Sequence, residues 1–121
     1  MPKEWLHLRH HIEAALKHDL GLTTIEDVEQ ALADRRMLFW PGDNSAVVTE
    51  LTHYPHGQIL HVFLAGGNKE ELYNMLDSIE EFARTLDCTH VTLAGRLGWM
   101  REQPLKDRNY KTAHVVMAKE L

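Results

Sequence analysis

The chain has 121 residues, enough for one domain with a real core and too few for two. Its 18 acids against 13 bases leave a net charge of -5, which excludes broad electrostatic binding to nucleic acid or to an anionic membrane. Cys88 is the single cysteine, so no internal disulfide can form, and a reducing, cytoplasmic setting is expected.

No apolar run approaches the roughly 18 residues of a membrane span. The start of the chain carries histidines and acids through its apolar positions, which is unlike a secretory signal. Trp5, Leu8, Ile12, Ala15 and Leu16 recur at helical spacing and predict a first helix over Lys3 to His18, ending near Gly21. Thr23 with Glu26 three residues on reads as a capping box. It would open a second helix whose inner face is Ile25, Val28, Ala31 and Leu32, fraying near Arg35.

The period then changes from helix to strand. Met37 to Trp40 is a short strand, Pro41-Gly42-Asp43-Asn44 a turn, and Ser45 to Thr52 a β-branched second strand. Tyr54-Pro55-His56-Gly57 turns again into a third strand, Gln58 to Ala65, and such close spacing predicts an antiparallel meander. Asn68 caps the next helix with Glu71 as its box partner. Leu72, Met75, Leu76, Ile79, Phe82, Ala83 and Leu86 make this the most regular helix in the chain, and its apolar face must lie on the sheet. His90 to Ala94 is a fourth strand, parallel to the third because a helix connects them. Gly95 to Asn109 is broken, with room for a helical turn around Trp99, and Tyr110 to Lys119 reads as a closing edge strand. The expected fold is α/β, a mixed sheet of about five strands in the order α-α-β-β-β-α-β-(α)-β.

The strand that runs through Gly66-Gly67 into the Asn68 helix carries the strongest functional signal. Free backbone N–H groups at a helix start bind anions, and phosphate-bearing cofactors use them. The glycines have a second reading, a tight turn that needs φ > 0. Other candidates also stand on two readings. Glu50 shares a strand face with Ala46 and Val48, where it is either a general base or a solvated rim residue. His61, between Leu60 and Val62, is either a base near neutral pH or a hydrogen-bonded core histidine. Trp99 could wall a pocket, plug it, or serve as core, beside Arg96 and Arg101 at the carboxyl end of the fourth strand. Tyr110 could act as an acid if bent inward. Nine histidines, among them His7, His10 and His11 on the first helix and His53 and His56 at a turn, match no zinc pattern. Cys88 has no base near it in sequence and reads as an inert thiol. Trp5, if exposed, would mark a homodimer interface.

The element order, with glycines where the third strand enters the central helix, resembles the GNAT superfamily of N-acetyltransferases from about the second helix to the end. Leu105-Lys106-Asp107-Arg108-Asn109-Tyr110-Lys111 is similar to that family's tyrosine-x-x-x-glycine-phenylalanine signature. Gly95-Arg96-Leu97-Gly98-Trp99 resembles short GNAT-like proteins of phages and prophages. The resemblance implies acetyl-CoA in a V between the third and fourth strands. Phe63, Leu64 and Ala65 would meet the pantetheine, and Gly66, Gly67 and Asn68 the pyrophosphate. An amine acceptor would be acetylated directly, with Glu50, His61 or Tyr110 moving protons. The chain departs from the family where no Arg or Gln and no third glycine precede the helix, and where Leu105 replaces the common tyrosine acid. Those departures open an alternative, a non-catalytic module that binds a protein partner or packs into a virion.

Overall fold

A computed structural model describes residues 3–95 and 101–121. Two helices open the chain, α1 (Lys3–Leu16) and α2 (Ile25–Ala33). The cap of α2 lies one residue beyond the expected one. Thr24 accepts from the Asp27 N–H while the Asp27 carboxylate accepts from the Thr24 N–H, so the box is Thr24/Asp27. Three strands follow as an antiparallel meander, β1 (Met37–Pro41), β2 (Ser45–Tyr54) and β3 (Gly57–Gly67). Helix α3 (Lys69–Thr85) then leads to β4 (His90–Leu93), which pairs parallel with β3, and a short α4 spans Gln103–Asp107. The sheet order is β1-β2-β3-β4. Among the described residues, no helix is long and apolar enough to cross a membrane.

The sheet is covered on both faces. Leu72, Leu76, Ile79 and Ala83 of α3, with Leu105 of α4, pack on Val47, Leu60 and Val62. Trp5, Leu8 and Ile12 of α1, with Val28 of α2, pack on Ala46, Val48 and Leu64. Trp5 is fully buried, stands edge-on to Phe39 and donates its indole N–H to Glu29 at 2.8 Å, so it is core and not an interface marker.

One irregularity positions everything that follows. Thr49 pairs with Val62 but Val48 pairs with Leu64, so Phe63 is an extra residue in β3. This β-bulge shifts the side-chain alternation by one. Val62 consequently packs under α3 while Leu64, two residues on, packs under α1 and α2. Bulges also bend and twist a strand. Here β4 pairs with β3 as far as Val62↔Leu93, with a last bond from the Ala94 N–H to the Val62 carbonyl, and parts from it at the bulge.

Two further expectations are corrected. The Tyr110–Lys119 segment forms no strand; beyond Tyr110 it is exposed and without regular structure, and among the described residues the sheet has four strands rather than five. The reason lies at Tyr110, whose N–H donates to the Leu105 carbonyl and whose hydroxyl donates to Glu80 at 2.9 Å. That anchor holds the chain to α3 as it leaves α4. The Asn68 box is also only half formed. Asn68 accepts from the Glu71 N–H at 3.0 Å, but the Glu71 carboxylate turns to the β1–β2 turn, where it accepts from the Asn44 N–H and the Ser45 hydroxyl.

Candidate functional site: the gap between the third and fourth strands

Where β4 leaves β3, a cleft opens. Its walls are Phe63–Gly67 of β3, Ala94 and Gly95 after β4, His11, Ala14 and Ala15 of α1, and His18 just beyond α1. The volume is about 190 Å³. That is below the roughly 300–1,000 Å³ of pockets that enclose whole small ligands. It suits a narrow chain laid along a strand. Past Val62, no strand among the described residues pairs with the outer edge of β3, so an extended ligand can meet backbone groups there as an added strand would.

The glycines at the end of β3 serve packing first. Gly66 and Gly67 are in the ladder, opposite Ala46 and Ser45, and not in a loop. A Cβ on Gly66 would lie 2.5 Å from the His11 carbonyl oxygen, so the missing side chain lets α1 cross close over the sheet. Gly67 has φ +114, and a Cβ there would lie 2.5 Å from Ser45 Cα.

The start of α3 is a poor diphosphate cradle. Its first turn holds Lys69, Glu70 and Glu71. Lys69 is paired with Glu102 at 2.7 Å. The Ser45 hydroxyl and the Asn44 N–H hold the Glu71 carboxyl below the usual carboxylate range, so it stays charged beside the helix end. Two carboxylates there oppose an incoming phosphate that the helix dipole would otherwise favour. Beside Gly66, Gly67 and Asn68, the Asn68 N–H is thus taken by the Asn44 carbonyl and the neighbouring Lys69 by Glu102, which leaves a weak site for a diphosphate among the described residues.

Below the apex of the cleft, one row of residues crosses three strands. Glu50 on β2 stands opposite His61 on β3, and His61 opposite Thr92 on β4. The His61 Nδ1 lies 2.7 Å from the Thr92 hydroxyl. Burial pushes the His61 pKa down, and the Glu50 carboxylate pulls it part of the way back. The row is about 7 Å down the strand from Phe63, two residues at the usual rise. Glu50 and His61, separate candidates in the sequence, are thus cross-strand neighbours. Thr92 was missed, because a threonine in a short strand carries no signal until the β3–β4 register is known.

Tyr110 is placed elsewhere. Its ring packs against the α3 layer and its hydroxyl is bound to Glu80. Burial and that carboxylate push its pKa up, and it is not among the cleft residues. Leu105 is buried in the same layer. Burial pushes the Cys88 thiol up, which suits an inert group. Arg96 and Trp99 lie outside the described residues. Among the described residues, no three His, Cys, Asp or Glu side chains gather as a metal-binding group.

The depressed His61 pKa sets a pH dependence. The folded state binds fewer protons at this group than the unfolded chain does, so its contribution is complete above about pH 6.5 and is lost as pH falls. His11 is shifted in the same direction, chiefly by burial. Urea midpoints are expected to fall from pH 8 to pH 5.5, and His61→Gln should make that fall smaller. An unchanged slope in the variant would contradict the assignment.

The overall architecture matches solved acetyltransferases. A GNAT family acetyltransferase from Staphylococcus aureus superposes with TM-score 0.61 at 14% identity, covering 100% of this chain and 95% of that one. An aminoglycoside acetyltransferase from an uncultured soil metagenomic sample, solved with sisomicin, gives TM-score 0.68 at 7% identity over 98% and 88% of the two chains. A Trypanosoma brucei acetyltransferase gives TM-score 0.62 at 9% identity over 90% and 94%. No protein-family model and no curated protein sequence matches the chain. The fold is that of the GNAT acyl-CoA N-acyltransferases. At these identities the likeness speaks for the fold alone.

Proposed function

We propose that the chain binds the acylated pantetheine arm of a coenzyme A thioester, acetyl-CoA in the simplest case, in the β3–β4 cleft and passes the acyl group to an amine. The observation that carries this reading is the parting of β4 from β3 at the Phe63 bulge, which among the described residues leaves a narrow, mostly apolar channel along an unpaired strand edge. A thioester supplies an activated acyl carbon and a thiolate leaving group. The backbone edge of Phe63–Ala65 would hold the arm extended, with an N–H available to polarise the thioester carbonyl. His61 would take the proton of the incoming ammonium. If Nδ1–H donates to Thr92, the Nε2 lone pair is free for that work. Glu50, opposite His61, steadies the imidazolium that results. Tyr110 and Leu105 offer no acid to the departing thiolate, so turnover is expected to be slow.

The acids at the α3 start favour a second reading, a GNAT-like scaffold without cofactor that acts by binding a protein partner, as a phage or prophage component would. One titration separates the two. Calorimetry with acetyl-CoA on the wild-type chain should show binding that Ala94→Phe abolishes, since Ala94 is exposed on the cleft wall and can be enlarged without touching the core. No heat at millimolar ligand would leave only the scaffold reading.

A further inference from the structure

The molecule carries two unmatched features that fit each other. One is the outer edge of β4. His90–Leu93 pair with β3 on one side, and among the described residues no strand pairs on the other. The second is the C-terminal segment Thr112–Ala118, Thr-Ala-His-Val-Val-Met-Ala, which is exposed along its whole length. Val116 is 78% exposed and Met117 90%.

Both features are costly alone. An open strand edge invites pairing with another chain. Consecutive exposed apolar residues of high β-propensity are the matching partner. The segment does not fold back onto its own sheet, and Tyr110 is held on the α3 side by Glu80 and by the Leu105 carbonyl.

We infer that Thr112–Ala118 of one copy adds as a strand to the outer edge of β4 in a second copy, and that the exchange is reciprocal. A second copy is the fitting occupant because each chain carries one edge and one segment. A single twofold axis then satisfies both pairs in one closed dimer. Four edge residues span about 13 Å and seven tail residues about 23 Å at the usual rise, so the tail can cover all of β4. The added strand would lie next to Thr92 and so border the His61 row. This inference does not depend on the acyltransferase reading.

Sedimentation equilibrium from 1 to about 100 μM tests it. The wild-type chain is expected to dimerise. Val116→Pro, which removes a ladder donor from an exposed segment, should weaken the dimer at least tenfold with an unchanged circular dichroism spectrum. Hydrogen exchange should show amides of His90–Leu93 and Thr112–Ala118 becoming protected together as concentration rises. A monomer at the highest concentration would overturn the inference. So would a dimer indifferent to Val116→Pro, or protection of the tail that does not change with concentration, which would mean docking within one chain.

Discussion

Gly67→Ala is expected to destabilise the protein by about 3 kcal/mol or more, although the change adds one methyl group. Two costs combine. With φ +114, Gly67 is in a region that L residues rarely adopt, at about 1–3 kcal/mol. The new Cβ would also meet backbone, the Asn44 carbonyl oxygen and Ser45 Cα, which side-chain rotation cannot relieve. The neighbouring turn is itself pinned by the Glu71 carboxylate on Asn44 and Ser45, so relaxation there would break those bonds. Thermal unfolding monitored by circular dichroism should show a drop of 10 °C or more. A change within a few degrees would mean that the β3–α3 junction is looser than described. A charged side chain at Gly67 is therefore a poor probe of ligand binding, because lost binding would report lost folding.

Trp5→Ala should be about as damaging, at about 3–5 kcal/mol. Trp5 is fully buried between α1 and the sheet. Its loss removes the edge-on contact with Phe39, whose ring centroid is 5.2 Å away, and leaves Glu29 without the indole donor. Glu29 retains Arg9 at 3.4 Å, which limits that second part. Chemical denaturation should show a lower midpoint with an unchanged slope. Because α1 also walls the cleft through His11, Ala14 and Ala15, the variant should lose ligand binding well before it unfolds. Binding and stability equal to wild type would contradict the placement of α1.

The sequence made α3, α1 and the meander plain, because their apolar periods are long and the turns between them carry Gly, Pro and Asn. It was less informative wherever one residue decided the matter. Two threonines stand side by side at the α2 cap, and the reciprocal bond forms on Thr24. The bulge at Phe63 leaves no mark in a run of apolar residues, yet it decides which side chains face which layer. Glu50 was legible as a carboxylate on the Ala46/Val48 face. Its pairing with His61, and the pairing of His61 with Thr92, depend on register across three strands. Glu71 misled for a related reason. Its spacing from Asn68 satisfies the capping pattern, but a turn 27 residues earlier in the chain offers its carboxylate better donors. The apolar tail Tyr110 to Lys119 has the composition of a strand, and the structure leaves it exposed beyond Tyr110, since propensity cannot show whether a partner edge lies within reach.

Backbone amide shift mapping on isotope-labelled protein tests the central claim most directly, with acetyl-pantetheine and acetyl-CoA titrated separately. If the cleft holds the arm, both ligands should move the amides of Phe63, Leu64, Ala65, Ala94 and Gly95. Acetyl-CoA should add little at Lys69 and Glu70, where carboxylates face the phosphates. No movement of the cleft amides at millimolar concentrations of either ligand would contradict the account.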